Sequence, residues 1–144
     1  MNFPILSAIT FLPLIGALFI FLIKDTSNDS INNIKYVSIF VSLVNFLLAI
    51  FLWISFDYTT ANFQFVENRE WIKGFFNFRF GVDGISILFI LLTTFITPIC
   101  VLSVINSIKS RIKEFLIAIL ILETLMIGVF CSLDLVIFYL FFEG

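Results

Sequence analysis

Asp134-Leu135-Val136-Ile137-Phe138-Tyr139-Leu140-Phe141-Phe142-Glu143-Gly144 is almost wholly apolar, yet it carries a carboxylate well inside the run. Such a stretch belongs in a bilayer. Crossing a ~30 Å hydrocarbon core takes roughly 20 apolar residues, and the segment after Cys131-Ser132 has about a dozen. It reads as an unfinished fifth span, and the chain as a fragment of a longer membrane protein. At ~1.5 Å rise per residue, Glu143 sits on the order of 15 Å from one face, close to mid-membrane depth. A carboxylate there is costly to place and points to function.

Working outward, the whole composition agrees. Hydrophobic residues make up 61% of the chain and charged residues 12%, with a mean hydropathy of +1.17. Soluble domains hold about 45–50% apolar and about 25% charged residues. The net charge of −2 and the lack of a basic stripe argue against nucleic acid. With no histidine in the chain, histidine catalysis and haem ligation are excluded. No phosphate loop, CxxC pair or Ser-His-Asp set is present. Cys100 and Cys131 lie in apolar runs and are expected to be buried structural thiols.

The fold expected is all-α: a polytopic integral membrane protein with four transmembrane helices and a truncated fifth, at about 3–23, 34–56, 83–105, 115–131 and 133–144. The first run lacks the basic start and short apolar core of a signal peptide and is taken as a retained span. Trp53, Phe56 and Tyr58 suggest an aromatic belt at the end of the second. Asn45 inside that run suits a helix-to-helix hydrogen bond. Residues 57–82 are expected to form a polar and aromatic outer loop. Within it Phe76, Phe78 and Phe80 alternate with Asn77 and Arg79, which puts the rings on one side of an extended segment. Asp83 and Asp134 are placed to cap the helices that follow them.

Charge bias sets the orientation. Lys24, Lys35, Lys109, Arg111 and Lys113 share one side, so the loop at 107–114 faces the cytoplasm or matrix and the N-terminus lies outside. Glu123 and Glu143 then come to similar mid-membrane depth on antiparallel helices. Glu143 is the leading candidate for a proton-path carboxylate and Glu123 the second, a buried structural contact being the competing role for each. All eight Lys and Arg residues lie in or next to the connections, so an ionic partner for Glu143 must come from elsewhere.

Three elements together carry a resemblance: Phe80-Gly81-Val82-Asp83-Gly84-Ile85-Ser86, Leu122-Glu123-Thr124-Leu125-Met126-Ile127-Gly128-Val129-Phe130, and Phe138-Tyr139-Leu140-Phe141-Phe142-Glu143-Gly144. They resemble the start of an antiporter-like membrane subunit of respiratory complex I, the proton-translocating NADH:quinone oxidoreductase. The resemblance runs the whole length of the chain. It implies that the glutamate matching Glu143 pairs with a lysine on a later, broken helix and gates proton movement along a polar axis. It also implies that this chain holds no cofactor, and that NADH, FMN, iron–sulfur clusters and quinone belong to other subunits. The implied partners are the other membrane-arm subunits and the lipid bilayer. The implied location is a bacterial inner membrane, or the mitochondrial inner membrane for an organelle-encoded chain. A cation/proton antiporter subunit of the same fold and a purely structural membrane protein are the alternatives.

Overall fold

Backbone amides in hydrocarbon find no water, so an apolar run of membrane length satisfies them internally as a helix. The computed structural model describes residues 3–74 and 76–144, the side chains at 71, 72 and 76 excepted. Its helices are α1 (Ile5–Leu22), α2 (Asn28–Ile54), α3 (Gly84–Ser107), α4 (Ile112–Cys131) and α5 (Leu135–Glu143). The first four are long and apolar enough to cross a membrane, which makes the chain an integral membrane protein. At 9 residues, α5 is too short to do so.

Local chemistry sets the helix starts. The Asp83 side chain accepts from the amides of Ile85 and Ser86, and Asp134 from that of Val136. Both are the caps expected. α2 begins at Asn28, ahead of the expected start at 34, because Ser27 accepts from the Ser30 amide and Asp29 lies in the first turn. The apolar run alone hides that polar turn, which extends the helix beyond the hydrocarbon.

The outer connection is more ordered than a loop. β1 (Gln64–Ile72) and β2 (Phe76–Val82) pair as an antiparallel hairpin, with Glu67 opposite Phe80 and Arg69 opposite Phe78. The aromatic alternation is the cause, since strand geometry sends every second ring to one face. Phe78 and Phe80 have ring centroids 4.3 Å apart, and Phe80 is fully buried. The Phe76 ring of the same alternation lies outside the described side chains. The spanning part is all-α as expected, and the hairpin is added to it.

α1 and α3 flank a central pair, α2 and α4, which touch each other across the middle. α5 packs on α4 and β2. One apolar cluster, including Leu6, Ile9, Leu52, Phe80, Ile127 and Phe141, fills the hairpin end. A second, including Ile20, Ile34, Val101, Leu116 and Leu120, fills the other end. Large apolar side chains such as Phe19, Phe40, Leu47, Leu88 and Leu122 point outward, as expected of a surface that faces lipid or other apolar helices.

Two expectations change in detail. Cys131 is buried, but Cys100 is exposed on α3. Trp53 and Tyr58 are exposed as belt residues should be, whereas Phe56 turns inward and joins the core at 7% exposure. Helix rotation decides the first case, and a short apolar run does not reveal it. Phe56 lies just past the end of α2, where the turn after Ser55 brings its ring onto the core.

Candidate functional site

Between the two apolar clusters lies a polar layer. Ser38, Ser42 and Asn45 on α2, Thr93, Thr94 and Thr97 on α3, and Glu123 and Thr124 on α4 are all buried. Most of the hydroxyls return their proton to their own helix. Ser38 donates to the Ile34 carbonyl, Thr94 to that of Ile90 and Thr97 to that of Thr93. Such back-bonding lets Ser and Thr sit in apolar surroundings without an orphaned donor.

Glu123 and Asn45 cannot be satisfied this way. Asn45 Nδ2 donates to Glu123 Oε1 at 2.9 Å, tying α2 to α4 where the two helices meet. Asn45 thus makes the helix-to-helix bond expected of it. Glu123 Oε2, Asn45 Oδ1 and Thr124 Oγ1 are buried with no hydrogen-bond partner among the described residues. Glu123 also lines a cavity of about 270 Å³ against α3, whose wall includes Thr93, Thr97 and Cys100.

Glu143 is placed differently. It is exposed, in the last turn of α5, and lines a groove of about 410 Å³ with Leu125, Val129 and Phe142. Leu122, Met126 and Phe130 of α4 border both this groove and the cavity beside Glu123. The two glutamates therefore open onto different cavities that share an α4 wall. No hydrogen bond or ion pair joins them among the described residues. Their depths agree as expected: each lies eight residues from its helix's hairpin-side end, Leu135 for α5 and Cys131 for α4, or ~12 Å at ~1.5 Å per residue.

Sequence reasoning missed two charged residues that position α1. Glu67, on the hairpin, accepts from the amides of Leu6 and Ser7 at 2.9 and 3.2 Å and from the Ser7 hydroxyl. Pro4 at the N-cap offers no side-chain acceptor, so Glu67 supplies one from a distance. Lys113 Nζ donates to the Ile23 carbonyl at 2.6 Å at the other end of α1. The expected topology signal is thus also a tether. Glutamate three residues into a hairpin strand carries no capping signature in sequence, because its target lies on another element.

No family profile matches the chain. Individual relatives do. NADH-ubiquinone oxidoreductase chain 4 of Marchantia polymorpha is 49% identical over 140 residues, 96% of this chain and 28% of that protein. NADH-quinone oxidoreductase subunit M of Rhodobacter capsulatus is 47% identical over 141 residues, 97% of this chain and 27% of that protein. The chain is homologous to these subunits. Subunit M of Rickettsia prowazekii is 41% identical over 145 residues, again spanning this whole chain and 30% of the relative. The chain thus spans under a third of the length of the subunit M and chain 4 relatives it matches. The fold recurs in the membrane-bound sulfane sulfur reductase, an archaeal respiratory membrane complex. One of its chains matches with a TM-score of 0.73 at 22% identity, over 99% of this chain and 21% of that one. The subunit M relatives and this fold neighbour alike are parts of multi-subunit respiratory membrane complexes.

Proposed function

We propose that the chain serves in the membrane arm of an NADH:quinone oxidoreductase, contributing to proton translocation coupled to electron transfer from NADH to quinone. What carries this reading is its likeness to subunit M and chain 4 over nearly its whole length, combined with a carboxylate set eight residues into the apolar helix α5. Glu143 is the proton-path residue in this reading and Glu123 the second candidate. A carboxylate in an apolar setting changes its proton affinity strongly with local hydration and with any charge brought near it. The eight basic residues lie in or beside the connections, so the ionic partner of Glu143 comes from outside these residues. The partners are other membrane-arm subunits, in a bacterial or mitochondrial inner membrane. NADH, FMN, iron–sulfur clusters and quinone are held by other subunits of the assembly.

The test is Glu143→Gln in the full-length protein, assayed in native membrane vesicles. Glutamine keeps size and polarity but removes the titrating group. Proton pumping driven by NADH oxidation is expected to fall sharply while the protein still assembles. Pumping at the unmodified level would overturn the role given to Glu143.

A further inference from the structure

Asn45 and Glu123 meet at the centre of the bundle, where α2 and α4 touch. Glu123 is 1% exposed and Asn45 fully buried. One hydrogen bond joins them, and it leaves the other carboxylate oxygen, Glu123 Oε2, and the amide oxygen, Asn45 Oδ1, without a partner among the described residues. Both atoms are acceptors while Glu123 is ionised, so neither can satisfy the other. An unpaired buried acceptor costs about 1–3 kcal/mol, more when it is charged. A carboxyl and a carboxamide are flat groups of nearly equal shape. When the amide nitrogen bonds one carboxyl oxygen, a proton on the other oxygen can be donated to the amide oxygen, closing a two-bond ring.

We propose that Asn45 and Glu123 form a proton-binding site in which Glu123 is the carboxylic acid and its Oε2 proton is shared with Asn45 Oδ1. One proton then supplies what both orphaned atoms lack. The charged state has little to stabilise it among the groups that pack around the pair. α1 carries no titratable side chain between Ile5 and Leu22. On α2, Asp29, Lys35 and Tyr36 lie toward its start, with Lys35 ~15 Å along the helix from Asn45. α3 offers only the Cys100 thiol, on the cavity wall. On α4, Lys113, Glu114 and Cys131 lie at the two ends, far from Glu123. Tyr139 and Glu143 belong to α5, which packs on α4 and β2. The nearby Thr93 and Thr97 hydroxyls already donate to the carbonyls of Phe89 and Thr93. Glu123 accordingly holds its proton in the bundle interior. This deepens the reading of Glu123 as a proton-path residue by naming its bound form and its partner, and it does not depend on the role of Glu143.

The experiment is infrared difference spectroscopy on the full-length protein purified from its membrane, wild type against Glu123→Gln. The expected result is loss of one carboxylic-acid C=O band that persists through the neutral pH range in the wild type. Glutamine can make both bonds of the ring, so this variant is expected to assemble and to melt near the wild-type temperature. Asn45→Ala removes the partner oxygen, and the same acid band is expected to move to higher frequency as its hydrogen bond is lost. If Glu123→Gln removes no acid band, Glu123 is ionised and the proposal is overturned. If the band disappears in Glu123→Gln but stays in place in Asn45→Ala, the pairing is overturned. Full pumping by Glu143→Gln would remove the proton-path role of Glu143 and leave this band untouched, so the two failures are distinguishable.

Discussion

Phe141 lies so close against Gly128 that a Cβ added there would sit 2.4 Å from the ring's Cδ1 and 2.5 Å from Cγ. This contact fixes how α5 lies on α4, and Glu143 follows two residues later. Phe141 is held on its other sides by Phe11 and Phe80, with ring centroids 6.5 and 5.9 Å away. Gly128→Ala would ordinarily favour the helix by about 1 kcal/mol. Here the clash is with a ring wedged between neighbours, and overpacking of this kind costs about 1–3 kcal/mol. A lower melting temperature of the purified protein is expected, together with altered reactivity of a cysteine placed at Glu143. Gly84→Ala is the control, since nothing lies within 4 Å of its added Cβ. Equal melting of the two variants would show that the Gly128–Phe141 contact does not hold α5.

α1 is held at both ends by charges that come from far along the chain. Glu67 meets the positive end of its backbone dipole and Lys113 the negative end. Glu67→Ala strands two amides and is expected to cost about 1–2 kcal/mol, the range for losing an N-cap. Glu67→Gln keeps an acceptor and should lose less. Lys113→Met keeps the aliphatic stem but drops the bond to Ile23, for about 1 kcal/mol. The contacts are at opposite ends of the helix, so a double variant should show the sum. Thermal melts of the four proteins check this, and a Glu67→Ala protein as stable as wild type would remove the capping role.

The spans, the caps at Asp83 and Asp134 and the role of Asn45 were legible because each is written in adjacent residues: apolar length, a short carboxylate before an apolar run, an amide within one. That Glu123 and Glu143 each lie eight residues from the hairpin-side end of their helices needs only a count along the chain. Which way each points does not follow from that count. Leu122, Glu123 and Thr124 follow one another in a row, yet Leu122 is exposed while Glu123 and Thr124 are buried. In an apolar run with no amphipathic stripe, rotation is set by neighbouring helices rather than by local pattern. Glu67 stayed hidden for the same reason. The hairpin was half visible, since Phe78 and Phe80 alternate, but pairing depends on a partner strand whose Glu67 and Arg69 show no comparable apolar period.

Asp83 gives a pH signature at the hairpin edge of α3. Its carboxylate accepts from Ser86 and Ile85 at 2.8 and 3.1 Å. The Ser86 amide above all holds its carboxyl below the usual value of 3.8. A carboxyl lowered in the folded state stabilises the fold above its unfolded value. That contribution is therefore present at neutral pH and disappears as pH falls below 3.8 through the lowered folded value. Asp83→Ala should cost about 1 kcal/mol at neutral pH, and less in acid. Asp83→Asn retains an acceptor and should lie between the two. Melting the wild type and Asp83→Ala from neutral to acidic pH checks the convergence. A gap that stays constant into acid would mean that the charged cap contributes nothing.

Phe80 ties the hairpin to the turn that launches α5. It is fully buried, it bridges to Ser132, and the Leu133 amide donates to the Arg79 carbonyl at 3.0 Å. Gly81 faces Leu133 there, and an added Cβ would lie 2.7 Å from Leu133 Cδ1 and push that side chain aside. Truncating a buried Phe to Ala costs about 3–5 kcal/mol through lost contacts and the cavity left behind. Phe80→Ala should fall within that range, because the ring is fully buried and packs on Phe78 and Phe141. Phe63→Ala, at an exposed ring in the same connection, should stay within about 0.5 kcal/mol of wild type. The loss should extend past the hairpin: with Phe80 gone, Phe141 loses one of its neighbours and the seat of α5 on α4 loosens. Limited proteolysis at Arg79 and cysteine labelling at Glu143 would report the two events separately. Faster cleavage with unchanged labelling would show that the hairpin rests on the bundle without positioning α5.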